Sequence, residues 1–116
     1  MEILVPDYKN AQGLWVKSKQ VDKVIYRTRS GSLWKNMRTR CRVGGAEQLR
    51  NPYYVGCSLS ETFEDFQSFT YWHVKQIGYG LIDYQLDKDL LVVGNLTYSE
   101  NTCVLIPRQL NVFTAI

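Results

Sequence analysis

Tyr84-Gln85-Leu86-Asp87-Lys88-Asp89, and after a Gly94-Asn95 turn signal Thr102-Cys103-Val104-Leu105-Ile106-Pro107-Arg108-Gln109-Leu110-Asn111, are the residues whose reading decides the fold. Asp83 to Leu86 and Cys103 to Ile106 read as strands, and Pro107 stands where a short closing helix would begin. The pattern is strand, loop, strand, helix, with Asp87 and Lys88 at the end of the first strand, Thr102 at the start of the second and Asn111 one turn into the helix. A carboxylate from a strand end and a carboxamide from a helix can share one hard cation, leaving coordination positions for water and phosphate. Spacing alone does not single out this pair, since an Asp and an Asn lie near each other in any domain.

Upstream, Ser58-Leu59-Ser60-Glu61 has capping-box spacing, and Phe63, Phe66, Phe69 and Trp72 follow at intervals of three. This predicts an aromatic helix over about 59 to 76, ended by Gly78 and Gly80, whose stripe is core rather than a base-stacking platform. Ser30 or Ser32 can cap a second helix over about 33 to 42. There Leu33, Met37 and Cys41 form an apolar stripe, Lys35, Arg38 and Arg42 fall on another face, and Gly44-Gly45 stops the helix. Residues 1 to 32 carry weaker patterns, with Leu14-Trp15-Val16 and Val24-Ile25-Tyr26 as candidate strands. The whole is expected to be one small α+β domain, 1 to 116.

At 45% hydrophobic and 22% charged, the 116 residues have the composition of an ordinary folded domain. No apolar run approaches the roughly 18 residues of a membrane span, and the first residues lack the pattern of a signal peptide. A cytoplasmic protein with no membrane partner is expected. Cys41, Cys57 and Cys103 are odd in number and far apart, which fits reduced thiols. A zinc site made by these three and His73 is not expected, because no C-x-x-C pair nucleates it. The net charge of +3 is unevenly spread. Residues 1 to 50 hold eleven Lys or Arg against four acids, and residues 51 to 116 hold three against seven. The basic half, including Arg27, Arg29, Lys35, Arg38 and Arg42, suits a polyanion, although solvated faces of opposite sign give the same arithmetic.

Trp34-Lys35-Asn36-Met37-Arg38-Thr39-Arg40-Cys41, then Tyr54, the Phe66 to Trp72 stretch, Gln85-Leu86-Asp87-Lys88-Asp89, Gly94-Asn95-x-x-Tyr98-Ser99 and Cys103 to Asn111 together resemble phage-encoded HNH-type endonucleases of the homing kind. The resemblance covers about residues 33 to 112. It implies a ββα-metal site in which Asp87 and Asn111 bind Mg²⁺ or Mn²⁺ and double-stranded DNA is the substrate. Lys88 stands where the family has its water-activating His. Thr102 stands where many members have the middle Asn, with Asn101 one residue away.

The lysine changes the chemistry. A His near pKa 6.5 accepts a proton at neutral pH, whereas bringing a Lys near 10.4 down to about 7 costs about 4 to 5 kcal/mol, and flanking carboxylates push the other way. Cleavage would therefore need Asp89 or a metal-bound hydroxide in place of the His, with Lys88 or Arg108 stabilising charge on the phosphate. His73, beside Trp72, is expected to be scaffold. The implied function is a metal-dependent DNA endonuclease or nickase. The alternative is a nuclease-dead module that binds DNA, or a host or phage protein as an accessory or anti-defence factor.

Overall fold

Thr28 ends the first sheet and starts the first helix. The computed structural model describes residues 1–81, 83–88 and 95–109. Strands β1 (Glu2–Val5), β2 (Ser18–Val21) and β3 (Val24–Thr28) form a sheet in the order β1-β3-β2. β2 and β3 are an antiparallel hairpin with Val21 opposite Val24, so Asp22 and Lys23 make the turn. Asp22 takes a φ of 55°, in the left-handed region that Asp tolerates better than most residues. β1 runs parallel to β3, with Glu2 opposite Ile25 and Val5 opposite Thr28. The strand expected at Leu14-Trp15-Val16 is a connector with a single bridge from Trp15 to Lys9. The Gln67 carboxamide accepts from the Trp15 N–H at 2.8 Å and donates to its carbonyl at 2.9 Å. A side chain thus satisfies the backbone groups that a partner strand would otherwise take.

Helix α1 (Arg29–Arg40) follows β3 without a loop. The Thr28 hydroxyl accepts from Gly31 N at 3.1 Å and donates to the Val16 carbonyl at 2.7 Å, so one buried group caps the helix and fastens it to the connector. The cap is therefore Thr28, not Ser30 or Ser32, and the Ser30 hydroxyl is engaged elsewhere. The apolar stripe holds, since Met37 is buried with Leu33 and Cys41 packed around it. α2 (Ala46–Arg50), a 3-10 turn (Pro52–Tyr54) and the two-residue strand β4 (Ser58–Leu59) lead to the aromatic segment.

That segment is two helices, α3 (Glu61–Glu64) and α4 (Phe66–His73), rather than the single expected helix. Ser60, not Ser58, caps the first by accepting from Phe63 N. Asp65 leaves helical geometry and caps the second, accepting from the N–H and the hydroxyl of Ser68, both at 2.8 Å. Short polar side chains that bond their own backbone compete with helix continuation, and here two of them do so in succession. The aromatic spacing still builds the core: Phe63 and Phe69 meet edge to face at 5.0 Å, and Trp72 lies 4.9 Å from Phe63.

Strands β5 (Tyr84–Asp87), β6 (Thr97–Tyr98) and β7 (Val104–Pro107) complete the described fold. β6 pairs parallel with β4, and β5 pairs antiparallel with β7, placing Asp87 opposite Val104 and Tyr84 opposite Pro107. Pro107 thus ends a strand rather than opening a helix, helical geometry begins directly after it at Arg108 and Gln109, and Asn111 lies outside the described residues. Leu86, Tyr98, Cys103, Cys57, Met37, Phe63 and Phe69 form one buried cluster. The fold is a small α+β globule in which no described helix is long and apolar enough to cross a membrane.

Candidate functional site at the end of strand β5

The antiparallel pairing of β5 with β7 sets Asp87 at the ladder end, with Lys88 directly after it. Asp87 and Lys88 are both buried, at 6% and 8% exposure, although they are the residues expected to meet metal and phosphate. The Lys88 ammonium lies 5.8 Å from the centroid of the buried Tyr98 ring, within the range of a weak cation–π contact. Burial pushes the Cys103 thiol up to about 12; the Asp87 carboxylate adds to this, and hydrogen bonds from Ser99 and Thr102 partly offset it. Burial likewise raises the Tyr98 phenol, so thiol and phenol are both neutral at physiological pH.

Asn95 ties Lys88 to Thr97 and Thr102. Its amide donates to the Lys88 carbonyl at 3.1 Å and to Thr102 Oγ1 at 3.2 Å, and its side-chain oxygen accepts from Thr97 N at 3.2 Å. Thr102 joins the same network through Ser99 Oγ at 2.8 Å. Thr102 is half-buried within this network, while Asn101 is exposed on the adjoining turn. The asparagine that joins Lys88 to Thr102 is Asn95, which the sequence offered only as a turn signal. Asp89 and Asn111 lie outside the described residues. Among the described residues no group of three or more His, Cys, Asp or Glu side chains is placed to hold a metal ion. With its carboxylate buried, Asp87 does not by itself make up a magnesium site.

The basic residues divide into two sets. Lys35, Arg38 and Arg42 are exposed on and just beyond α1, and Arg108 is exposed after β7. The Arg38 guanidinium lies 4.5 Å from the Trp34 ring centroid and Lys17 Nζ lies 5.0 Å from it, while the indole N–H donates to the Phe63 carbonyl at 2.8 Å. Arg27 instead pairs with Glu2 at 2.8 Å, and Arg29 is half-buried beside His73. Arg38 and Glu64 also line a cleft of about 550 Å³ with Cys41, Cys57, Ser58 and Leu59.

Ser, His and Asp side chains meet elsewhere, in an order that does not suit nucleophilic catalysis. The Ser30 hydroxyl donates to Asp7 Oδ2 at 2.9 Å and sits 2.6 Å from His73 Nδ1, and Tyr79 donates to the same carboxylate oxygen at 2.6 Å. Asp7 thus engages the serine directly and lies 4.0 Å from the imidazole. In a catalytic triad the acid orients the histidine, which in turn activates an exposed hydroxyl. Here Ser30 is fully buried and the group clamps four distant segments together. Burial lowers the His73 pKa to about 4, with Arg29 adding to the effect and Asp7 opposing it.

Comparison with protein-family models, curated proteins and solved structures returned no match. The roles of Asp87, Lys88 and the basic helix therefore rest on their chemistry and placement.

Proposed function

We propose that the protein is an HNH-like, phage-type nucleic-acid-binding module that grips the phosphate backbone of double-stranded DNA with the outer face of α1. The observation that carries this reading is the exposure of Lys35 and Arg38 on α1 and of Arg42 just beyond its end, in the basic half of the chain, with Arg38 set over Trp34. Guanidinium and ammonium groups neutralise phosphates and release counterions, which gives affinity without sequence preference. A guanidinium already resting on an indole loses less conformational freedom when it meets a phosphate. The burial of Asp87 and Lys88 favours binding over hydrolysis, because a phosphodiester has to reach the groups that act on it. Titration of duplex DNA at rising salt tests the reading: salt-sensitive binding supports it, and no binding at low salt overturns it.

A second reading is favoured by the β5–β7 ladder with Asp87 at its end and Asn95 bonded to the adjoining Lys88. In it the protein is a magnesium-dependent endonuclease or nickase, with Asp87 and Asn111 as ligands and protonated Lys88 or Arg108 against the phosphate. Plasmid nicking with Mg²⁺ or Mn²⁺, abolished by a chelator and by Asn111→Ala, would establish this reading. Binding without nicking would leave the first.

A further inference from the structure

The Sγ atoms of Cys41 and Cys57 lie 2.7 Å apart, closer than a thiol–thiol contact normally allows but beyond the ~2.05 Å of a covalent S–S bond. Cys41 is the C-cap of α1 and half-buried; Cys57 directly precedes β4 and is buried. Both line the cleft that also holds Arg38 and Glu64, so a small solute approaches the pair from solvent. Cys103 belongs to the Ser99–Cys103 turn, where its backbone N–H donates to the Ser99 carbonyl at 2.9 Å.

We propose that Cys41 and Cys57 are a dithiol modification site, converted to an intramolecular disulfide by a hydroperoxide and restored by a small dithiol. In the forward reaction Cys41, whose proton the Cys57 contact and burial make harder to remove, gives up that proton and its sulfur attacks one oxygen of hydrogen peroxide; the O–O bond breaks and the departing hydroxide takes up the proton, giving Cys41 sulfenic acid and water. The Cys57 sulfur then attacks Cys41 Sγ, the S–O bond breaks, and the hydroxyl leaves as a second water after taking up a proton. The two thiols lose two electrons and two protons in all, and the peroxide is reduced to water. A dithiol reductant returns both electrons by exchange and leaves as its own cyclic disulfide.

The bond would join the end of α1 to the start of β4 and close the 15-residue segment between them, which carries Arg42, α2 and the 3-10 turn. Cross-linking two positions that are already adjacent restricts the unfolded chain with little cost in the folded one. The inference is independent of the nucleic-acid reading, since it rests on two sulfurs and an open cleft.

The test treats the full reduced chain with equimolar hydrogen peroxide and counts thiols after denaturation, followed by peptide mapping. The expected result is a fall from three thiols to one, a peptide linking Cys41 to Cys57, a loss of two hydrogen masses and full reversal by dithiothreitol. The oxidised form should also melt higher than the reduced form and resist proteolysis between residues 42 and 56. Cys103→Ser should behave like the parent. Three persisting thiols, a bridge that includes Cys103, an intermolecular dimer or a terminal sulfinic acid on Cys41 would each overturn the proposal. Because the mapping is done on the unsubstituted protein, it does not depend on Cys41 or Cys57 variants folding.

Discussion

Gly31 packs its Cα against the backbone carbonyl of Lys17, so a Cβ at position 31 would lie 2.1 Å from that oxygen and 2.9 Å from the Lys17 carbonyl carbon. The same carbonyl accepts from Thr28 N at 3.0 Å, which fixes the connector against the start of α1. Neither partner is a flexible side chain that could step aside. Gly31→Ala should therefore cost about 3 kcal/mol, the upper range for overpacking. A urea midpoint within error of the parent would contradict this close approach.

His73 gives the fold a dependence on acid. Its folded pKa of about 4 lies below the ordinary imidazole value of 6.5, so between these values the unfolded chain binds a proton that the folded chain refuses. Stability is then full above about pH 6.5 and falls as pH drops toward 4, by at most about 3 kcal/mol. The loss should flatten in His73→Gln, measured by urea unfolding at pH 7 and pH 5. Asp7, Arg29 and Tyr79 surround the ring, and an unchanged slope in the variant would contradict the assignment of the acid sensitivity to His73.

Asn95 and Asn101 should separate cleanly. Removing the Asn95 carboxamide takes one hydrogen bond each from the Lys88 carbonyl and Thr102 Oγ1, and Asn95→Ala should cost about 1 to 3 kcal/mol. Asn101 is exposed, so Asn101→Ala should stay within about 0.5 kcal/mol of the parent. Equal effects on the thermal midpoint would remove Asn95 from its role of tying Lys88 to Thr102.

The break between α3 and α4 depends on Asp65. Asp65→Ala deprives Ser68 of the carboxylate that receives both its N–H and its hydroxyl, and should cost about 1 kcal/mol, the usual value of an N-cap. The Ser68 bonds also hold the Asp65 carboxyl below the usual carboxylate range, so the cap persists into mild acid and is lost as pH falls through that lowered value. A variant as stable as the parent at pH 7 would show that the two helices are held apart by packing alone.

Much of the core was legible because large aromatic side chains at helical intervals have few other places to go. Phe63, Phe66 and Phe69 are buried as that spacing implies. The helix break was not legible, because Ser60, Asp65 and Ser68 choose between capping and continuing by a small margin that tertiary packing decides. The first sheet was obscure for another reason. β2 is exposed along its whole length, so Ser18 to Val21 carry no alternation to read, and the parallel pairing of β1 with β3 joins residues more than twenty positions apart. At the candidate site the position of Asp87 at a strand end followed from local pattern. Its burial, and the tie from Asn95 to Lys88, depend on contacts between residues distant in sequence that no local pattern encodes.

The nucleic-acid reading is tested most directly by the salt dependence of duplex binding, followed by fluorescence anisotropy for the parent and a Lys35→Ala, Arg38→Ala, Arg42→Ala triple variant. Three phosphate contacts give a slope of log affinity against log salt near −2.7, which is roughly a 40-fold loss between 50 and 200 mM. The parent should show at least that slope, and the variant should bind weakly with a slope shallower by two to three. Parent and variant binding alike, or a parent that does not bind at 50 mM salt, would contradict the assignment of the α1 face to DNA.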